Sequence, residues 1–337
     1  MNGAVQGGAT STRSKPMKRL QLTEVFGLKP YRATFEDAKM VFRGDPSVPP
    51  SRFDPTSLRM FTPRLSVATW LGRRVAKRTI PLLNLFNRNP TPVEEGWSVK
   101  VTQARDFRGR QMTYDSHNGT DFVIPPGTVT VASAAGRVAS IRREWNRGGL
   151  KLYLDHGDGL MTTHNHLARA LADVGDTVER GQPVALTGYS GIDGFVTFPW
   201  LAPHVHYNVI LGGVLVDPFA QAGETSLWRE HNAPCPRPEG AAVETVPATV
   251  FDPERVQALL ADLKDDRRRA LFARIDDVTR RGWELLIEST VYPTRFETPE
   301  AGRLLYAQET AREPRLDLPF RAADFDDTGF ADDLGYR

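Results

Sequence analysis

The chain has 337 residues, 40% of them hydrophobic and 25% charged, with a formal net charge of +2. A chain of that length has room for two domains and can bury roughly three quarters of its unfolded surface. No stretch approaches the ~20 apolar residues needed to span a bilayer, and the single cysteine, Cys235, excludes an internal disulfide.

The near-neutral total hides an asymmetry, because residues 1–90 hold 16 Lys and Arg against 5 Asp and Glu. Residues 1–20 read as disordered, with no apolar run that would make a recognisable signal peptide. Residues 45–65 are punctuated by proline, which argues against long helices. From Ser66 to Phe86 apolar and basic residues mix, with Trp70, Leu71, Val75 and Ile80 near helical spacing. That pattern predicts a helix with a solvated basic face, packed on the rest of the chain or lying on an anionic surface. Asn89-Pro90-Thr91-Pro92 then reads as a linker. Residues 1–95 are thus expected to be an irregular, basic, Pro-rich extension, with residues 1–90 able to contact an anionic surface.

Between residues 96 and 222 the pattern is short strands separated by turns. Residues 129–132, 136–142, 150–155, 160–166, 183–187 and 204–211 alternate or run apolar, with Gly and Asp pairs between them. The expectation is a mainly β domain built on an antiparallel sheet. Residues 223–337 change character. Asp252-Pro253-Glu254 is a helix start, and apolar residues from Val256 to Leu286 recur at three- and four-residue steps. One long amphipathic helix, or two broken near Asp265-Asp266, is expected there. The acidic tail from Asp317 shows no periodicity and reads as solvated. With no phosphate-binding glycine loop and no convincing basic-aromatic surface, nucleic acid is not an expected partner.

Six of the seven histidines (His117, His156, His164, His166, His204 and His206) fall within ninety residues, which packing alone does not explain. His204 and His206 sit at i and i+2 of a predicted strand, so their rings share one face ~7 Å apart. They can share a metal site, one as ligand and one beside the bound water, or stand as a surface pair on a hairpin. His117 and Asp121 add one nitrogen and one oxygen, with Gly119 letting the backbone bend; alone, that pentapeptide also reads as a turn with a capping Asp. Two histidines and a carboxylate form a set found in catalytic zinc sites that keep a position open for water.

These pieces come in a specific order. His117-x-Gly119-x-Asp121, the turn Pro125-Pro126-Gly127-Thr128, His166-Leu167, Gly175-Asp176-x-Val178-x-x-Gly181-Gln182 and Pro203-His204-x-His206 resemble the lysostaphin-like (LytM-type) zinc endopeptidases that cut peptidoglycan peptides. The resemblance covers residues 105 to 220. It implies one Zn2+ per chain held by His117, Asp121 and His206, with His166 and His204 as catalytic histidines. One of these takes the proton of the attacking water and the other helps hold the oxyanion. The implied place of action is the cell envelope or outside the cell.

Two departures stand out. His164 occupies the position of a family tyrosine, and is read as a substitution and not a further ligand; His164 or Tyr114 could assist. The loop from Tyr189 to Ala202 is longer than the family's. It is expected to wall the substrate groove with Phe195, Phe198 and Trp200, or to turn those rings inward as a plug. His156, at a turn, is read as structural. Rival readings are a non-catalytic LytM-like module that regulates other cell-wall enzymes and a lipoyl-type carrier domain. Retention of all five site positions argues against the first. Lys151, the one lysine between Lys100 and Lys264, lacks the hairpin-tip context that the second needs.

Overall fold

The computed structural model describes residues 18–73, 77–238 and 240–337. Among these, the strands are β1 (Thr79–Leu82), β2 (Thr120–Val123), β3 (Val129–Val131), β4 (Gly136–Glu144), β5 (Gly149–Asp155), β6 (Leu160–Ala170), β7 (Thr177–Val178), β8 (Pro183–Thr187), β9 (His204–Leu211), β10 (Val214–Val216) and β11 (Asp327–Phe330). They form one sheet in the order β11-β1-β2-β9-β6-β5-β4-β7, with β10 paired to β9, and β8 to both β3 and β6. The ladders are antiparallel except β1 with β11. The expected mainly β domain is present, and all six predicted strands overlap observed ones.

Side chains alternate across a strand, so β9 serves two layers. Val205, Tyr207 and Val209 enter one core, in which Tyr207, Phe122, Trp228 and Phe320 meet ring to ring. His204, His206, Asn208 and Ile210 face the other way. On that second face Tyr153, Met161 and Ile210 are covered by the C-terminal helices, while the histidine end stays open to a cleft.

The C-terminal helical region holds three helices rather than one or two: α5 (Pro253–Asp262), α6 (Asp266–Ala273) and α7 (Val278–Val291), numbered after α1 (Leu22–Val25), α2 (Tyr31–Arg43), α3 (Pro63–Trp70) and α4 (Ile192–Thr197). Both breaks have a cause in the sequence. Asp265 and Asp277 each accept hydrogen bonds from backbone N–H groups of the following turn, restarting the helix as N-caps.

Two expectations about the flanks are overturned. The run from Ser66 to Phe86 is no continuous helix: α3 ends at Trp70, and β1 begins at Thr79. Leu82, at the end of β1, and Leu83 and Leu85 just after it are fully buried, so the apolar half of the run is core and not a surface-seeking face. Val75 and residues 1–17 of the stretch 1–20 read as disordered lie outside the described residues, whereas the Lys18 carbonyl accepts from Arg169 Nη1 at 3.1 Å. The acidic tail is not solvated either. Leu316, Leu318 and Phe320 are core, and β11 adds to β1. Asp332 and Asp333 pair with Arg108 and Arg110, and Asp326 with Arg78. Part of the N-terminal positive charge is therefore balanced inside the molecule, by Asp326 on Arg78 and by Asp217 and Glu224 on Arg88. No helix among the described residues is long and apolar enough to cross a membrane.

The buried tail gives a direct test. Phe320→Ala removes a ring packed on Phe122, and the expected loss is about 3–5 kcal/mol of unfolding free energy, read from a denaturant titration. A change below about 0.5 kcal/mol, as for an exposed site, would restore the solvated tail.

Candidate metal centre and cleft

Strand register builds the centre. β2 and β9 pair with Asp121 opposite His206 and Val123 opposite His204, and directly opposed residues project to the same face. Asp121 Oδ1 lies 2.8 Å from His206 Nδ1. His117, just before β2, brings its Nε2 to 3.1 Å from both of those atoms. The triangle is close to the roughly 3.3 Å expected between ligands that each stand about 2.0–2.1 Å from a tetrahedral ion. Gly119 is required by close approach rather than by bending. A Cβ there would stand 2.7 Å from His206 Nε2 and 2.6 Å from the Tyr207 carbonyl oxygen.

On each ring the nitrogen outside the triangle is engaged elsewhere. His117 Nδ1 donates to the Leu85 carbonyl at 2.7 Å, which leaves Nε2 with its lone pair. His206 Nε2 lies 3.2 Å from Asn118 Oδ1 and 3.0 Å from Asn208 Nδ2, so Nδ1 is the nitrogen turned toward His117 and Asp121. Burial works to raise the Asp121 carboxyl, but the positive charge that His117 and His204 carry when protonated, with the hydrogen bonds of His117 and His206, outweighs it. The group is held well below the usual carboxylate range. Three inward lone pairs on buried groups repel one another unless a cation sits between them. The donor set therefore fits a divalent metal.

A layer of asparagines holds this set, and sequence reading missed it. Asn84 Nδ2 donates to Asp121 Oδ2 at 2.7 Å, and Arg337 donates to Asn84 Oδ1 at 2.8 Å. Asn165 Nδ2 donates to the His206 carbonyl and to Asn208 Oδ1, whose amide in turn donates to Asn118. Signals were present. Asn208 continues the period-two series of His204 and His206, and Asn84 is a lone amide inside an apolar run.

His166 and His204 stand beside the triangle, their ring centroids 5.1 Å apart and that of His166 6.2 Å from His206. His166 Nδ1 donates to the Ser190 carbonyl and His204 Nδ1 to that of Ala202, so each Nε2 is free of a proton. Burial, with the neighbouring His204 and His206, pushes the His166 ring down to about 3. His164 and His166 are two apart in β6 yet do different things. His166 has φ of +59°, a left-handed conformation uncommon outside glycine, which breaks the alternation and turns its ring to the cleft. His164 stays opposite Tyr207, bonded to Thr130 Oγ1 in the core. An assisting role for His164 is thereby excluded, whereas Tyr114 does line the cleft. His156 is buried between the Ala135 carbonyl and Thr162 Oγ1, a structural residue.

The cleft encloses about 470 Å³. His206, Asn208 and Ile210 form its floor, and Val291 of α7 lies toward one end. Phe42, Phe53, Leu58 and Met60 from the N-terminal segment line it, together with Ile192, Val196 and Leu201 from the long loop. The loop is a wall, but its aromatics are not what it presents. Phe198 packs 5.0 Å from Trp70 and 5.7 Å from Phe26, and Phe195 lies 5.9 Å from Trp145.

A mainly antiparallel β domain with a His–Asp–His metal site and two further histidines in one cleft has the makings of a metallopeptidase. Residues 115–218 match the model of Peptidase family M23. Peptidoglycan DD-endopeptidase ShyA of Vibrio cholerae is 39% identical over 143 residues, 42% of this chain and 31% of the relative. An uncharacterized metalloprotease of Haemophilus influenzae is 33% identical over 120 residues, 34% and 24% of the two chains. Murein hydrolase activator EnvC of Escherichia coli is 37% identical over 93 residues, 27% and 20%. The matched stretch thus spans a third or less of the length of these curated relatives.

Asn84 supplies the test of the surrounding layer. Asn84→Ala is expected to weaken metal affinity about 10- to 100-fold, measured against a competing chelator. Unchanged affinity would mean that Asp121 needs no such anchor.

Proposed function

We propose that the chain is a zinc-dependent endopeptidase, with one zinc per chain held by His117, Asp121 and His206. Its substrates would be peptide bonds in peptidoglycan cross-bridges or stem peptides, met in the cell envelope or outside the cell. The observation that supports it best is the convergence of His117 Nε2, Asp121 Oδ1 and His206 Nδ1 within 3.1 Å of one another, beside two histidines with a free ring nitrogen.

Zinc in such a site lowers the pKa of a water and polarises a carbonyl. The protein's own groups do the rest. The Ser190 carbonyl fixes the His166 tautomer, so its Nε2 can accept a proton from the attacking water and return it to the leaving amine. The Ala202 carbonyl fixes His204 in the same way, so either Nε2 can take a proton as base, and a ring that carries a proton on Nε2 can then donate it in a hydrogen bond to the oxyanion. Fixed donors aimed at developing charge are worth several kcal/mol. The apolar walls lower the local dielectric and strengthen each of these interactions.

A second reading, a non-catalytic regulator of other cell-wall enzymes, takes support from the similarity to an activator. Digestion of purified sacculi separates the two. The enzyme releases peptide fragments identifiable by mass, and His166→Ala keeps its zinc while losing roughly 10²–10⁴-fold in rate. Intact sacculi after incubation with the zinc-loaded protein would favour the regulator.

A further inference from the structure

Arg147 stands out among the charges around the cleft. Its neighbours are paired: Arg142 with Glu284 and Glu288, Arg295 with Glu288, and Lys151 with Glu144. Arg147 lines the cleft, yet among the described residues its guanidinium makes no hydrogen bond and no ion pair. Its Nε is buried without a partner. It lies over the Trp97 ring, 5.0 Å from the centroid, a contact that orients the planar group but leaves its donors unused. Burial holds it below the ordinary arginine value. A partly desolvated guanidinium with idle donors opposes folding, so its place in the molecule asks for a ligand.

Its position says which ligand. Arg147 precedes Gly148, whose carbonyl accepts the His166 backbone N–H at 2.8 Å. Trp97 beneath it meets Tyr114 edge on at 6.4 Å, and Tyr114 lies 4.6 Å from His117. The free cation is therefore within a few side chains of both the metal triangle and His166, in a cleft with otherwise mostly apolar walls. Asp193 lines the same cleft within electrostatic reach of Arg147 but does not pair with it, so an anionic group would be steered to the Arg147 side.

We propose that Arg147 is a specificity residue that holds a free carboxylate of the peptide substrate next to the scissile amide. This rests on the peptidase reading and narrows it. The substrate class would be a cross-link whose amine donor is a diamino dicarboxylic acid, with a carboxylate on the amine-bearing carbon. A diamino monocarboxylic acid or a glycine bridge has nothing there for the guanidinium to grip. The planar fork of arginine matches a carboxylate with two parallel hydrogen bonds.

The test uses a pair of cross-linked peptide dimers in which D-alanine acylates the diamino acid. The amine-bearing carbon carries a carboxylate in one dimer and a carboxamide in the other, and the scissile amide is replaced by a ketomethylene group. Calorimetry on the full-length, zinc-loaded protein should show the carboxylate form binding about 10- to 100-fold tighter. Arg147→Gln should reduce that preference to under about 2-fold, acting on the carboxylate form alone, with a melting temperature within a few degrees of wild type, because the lost Trp97 contact is offset by removal of an unpaired buried Nε. Arg147→Lys decides the matter should the Gln variant not fold, since an ammonium without the fork lowers the preference several-fold. Equal affinity of wild type for the two forms, no binding of either, or an unchanged preference in the variants overturns the assignment. Hydrolysis of the parent amide dimers is scored separately. A preference without hydrolysis sinks the peptidase reading and leaves the carboxylate site. Hydrolysis without a preference sinks the role of Arg147 alone.

Discussion

The site depends on a single register, that of β2 against β9. Because side chains alternate with a period of two, a slip of one residue would send Asp121 into the aromatic core and leave His206 facing nothing. What pins the register is the opposite face. Phe122 and Tyr207, the immediate neighbours of the two site residues, are locked in the ring cluster with Trp228 and Phe320. Hydrophobic packing on one side of the sheet thus aligns metal donors on the other. That cluster is completed by the C-terminal tail, which ties a segment remote in sequence to the geometry of the centre.

Polar satisfaction is the second constraint. The imidazoles and amides brought to the centre have partners that also set their rotamers, whether the Leu85, Ser190 and Ala202 carbonyls or the asparagine layer. A buried amide left without a partner costs about 1–3 kcal/mol, so such a network holds all its members together or fails together. Backbone carbonyls and neutral amides suit the task. They orient imidazoles without adding charge that would compete with the carboxylate for the cation.

What was legible in the sequence was what is locally written. His117, Asp121, His166, His204 and His206 sit in short pieces of fixed order, and the strands between them alternate plainly, so the central domain could be read with the cleft histidines in place. The flanks were illegible for a physical reason. β1 and β11 gain their strand character from pairing with each other, Thr79 beside Asp327, across nearly the whole chain. No local period announces such a contact. Ile80 reads with Trp70 and Leu71 as one helix face, yet it is a buried residue of β1, because apolar spacing alone does not distinguish a buried strand from a helix. His166 misleads in the opposite sense. Strict alternation would pair it with His164, and only the left-handed backbone separates the catalytic candidate from the core residue.

The long loop shows how rigidity and shape are divided between two sets of residues. Its aromatics, Phe195, Phe198 and Trp200, stay half exposed outside the cleft lining, but Phe198 helps give the loop a fixed place. Phe198 sits edge on to both Trp70 and Phe26, the Tyr189 N–H donates to the Val25 carbonyl, and Ser66 Oγ donates to the Pro199 carbonyl at 2.6 Å. The N-terminal segment therefore does more than add a wall of its own. It clamps the opposite wall, and with it the Ser190 and Ala202 carbonyls that orient His166 and His204. A segment that appeared to be a detachable basic extension is, by these contacts, part of the frame on which the two histidines are aimed.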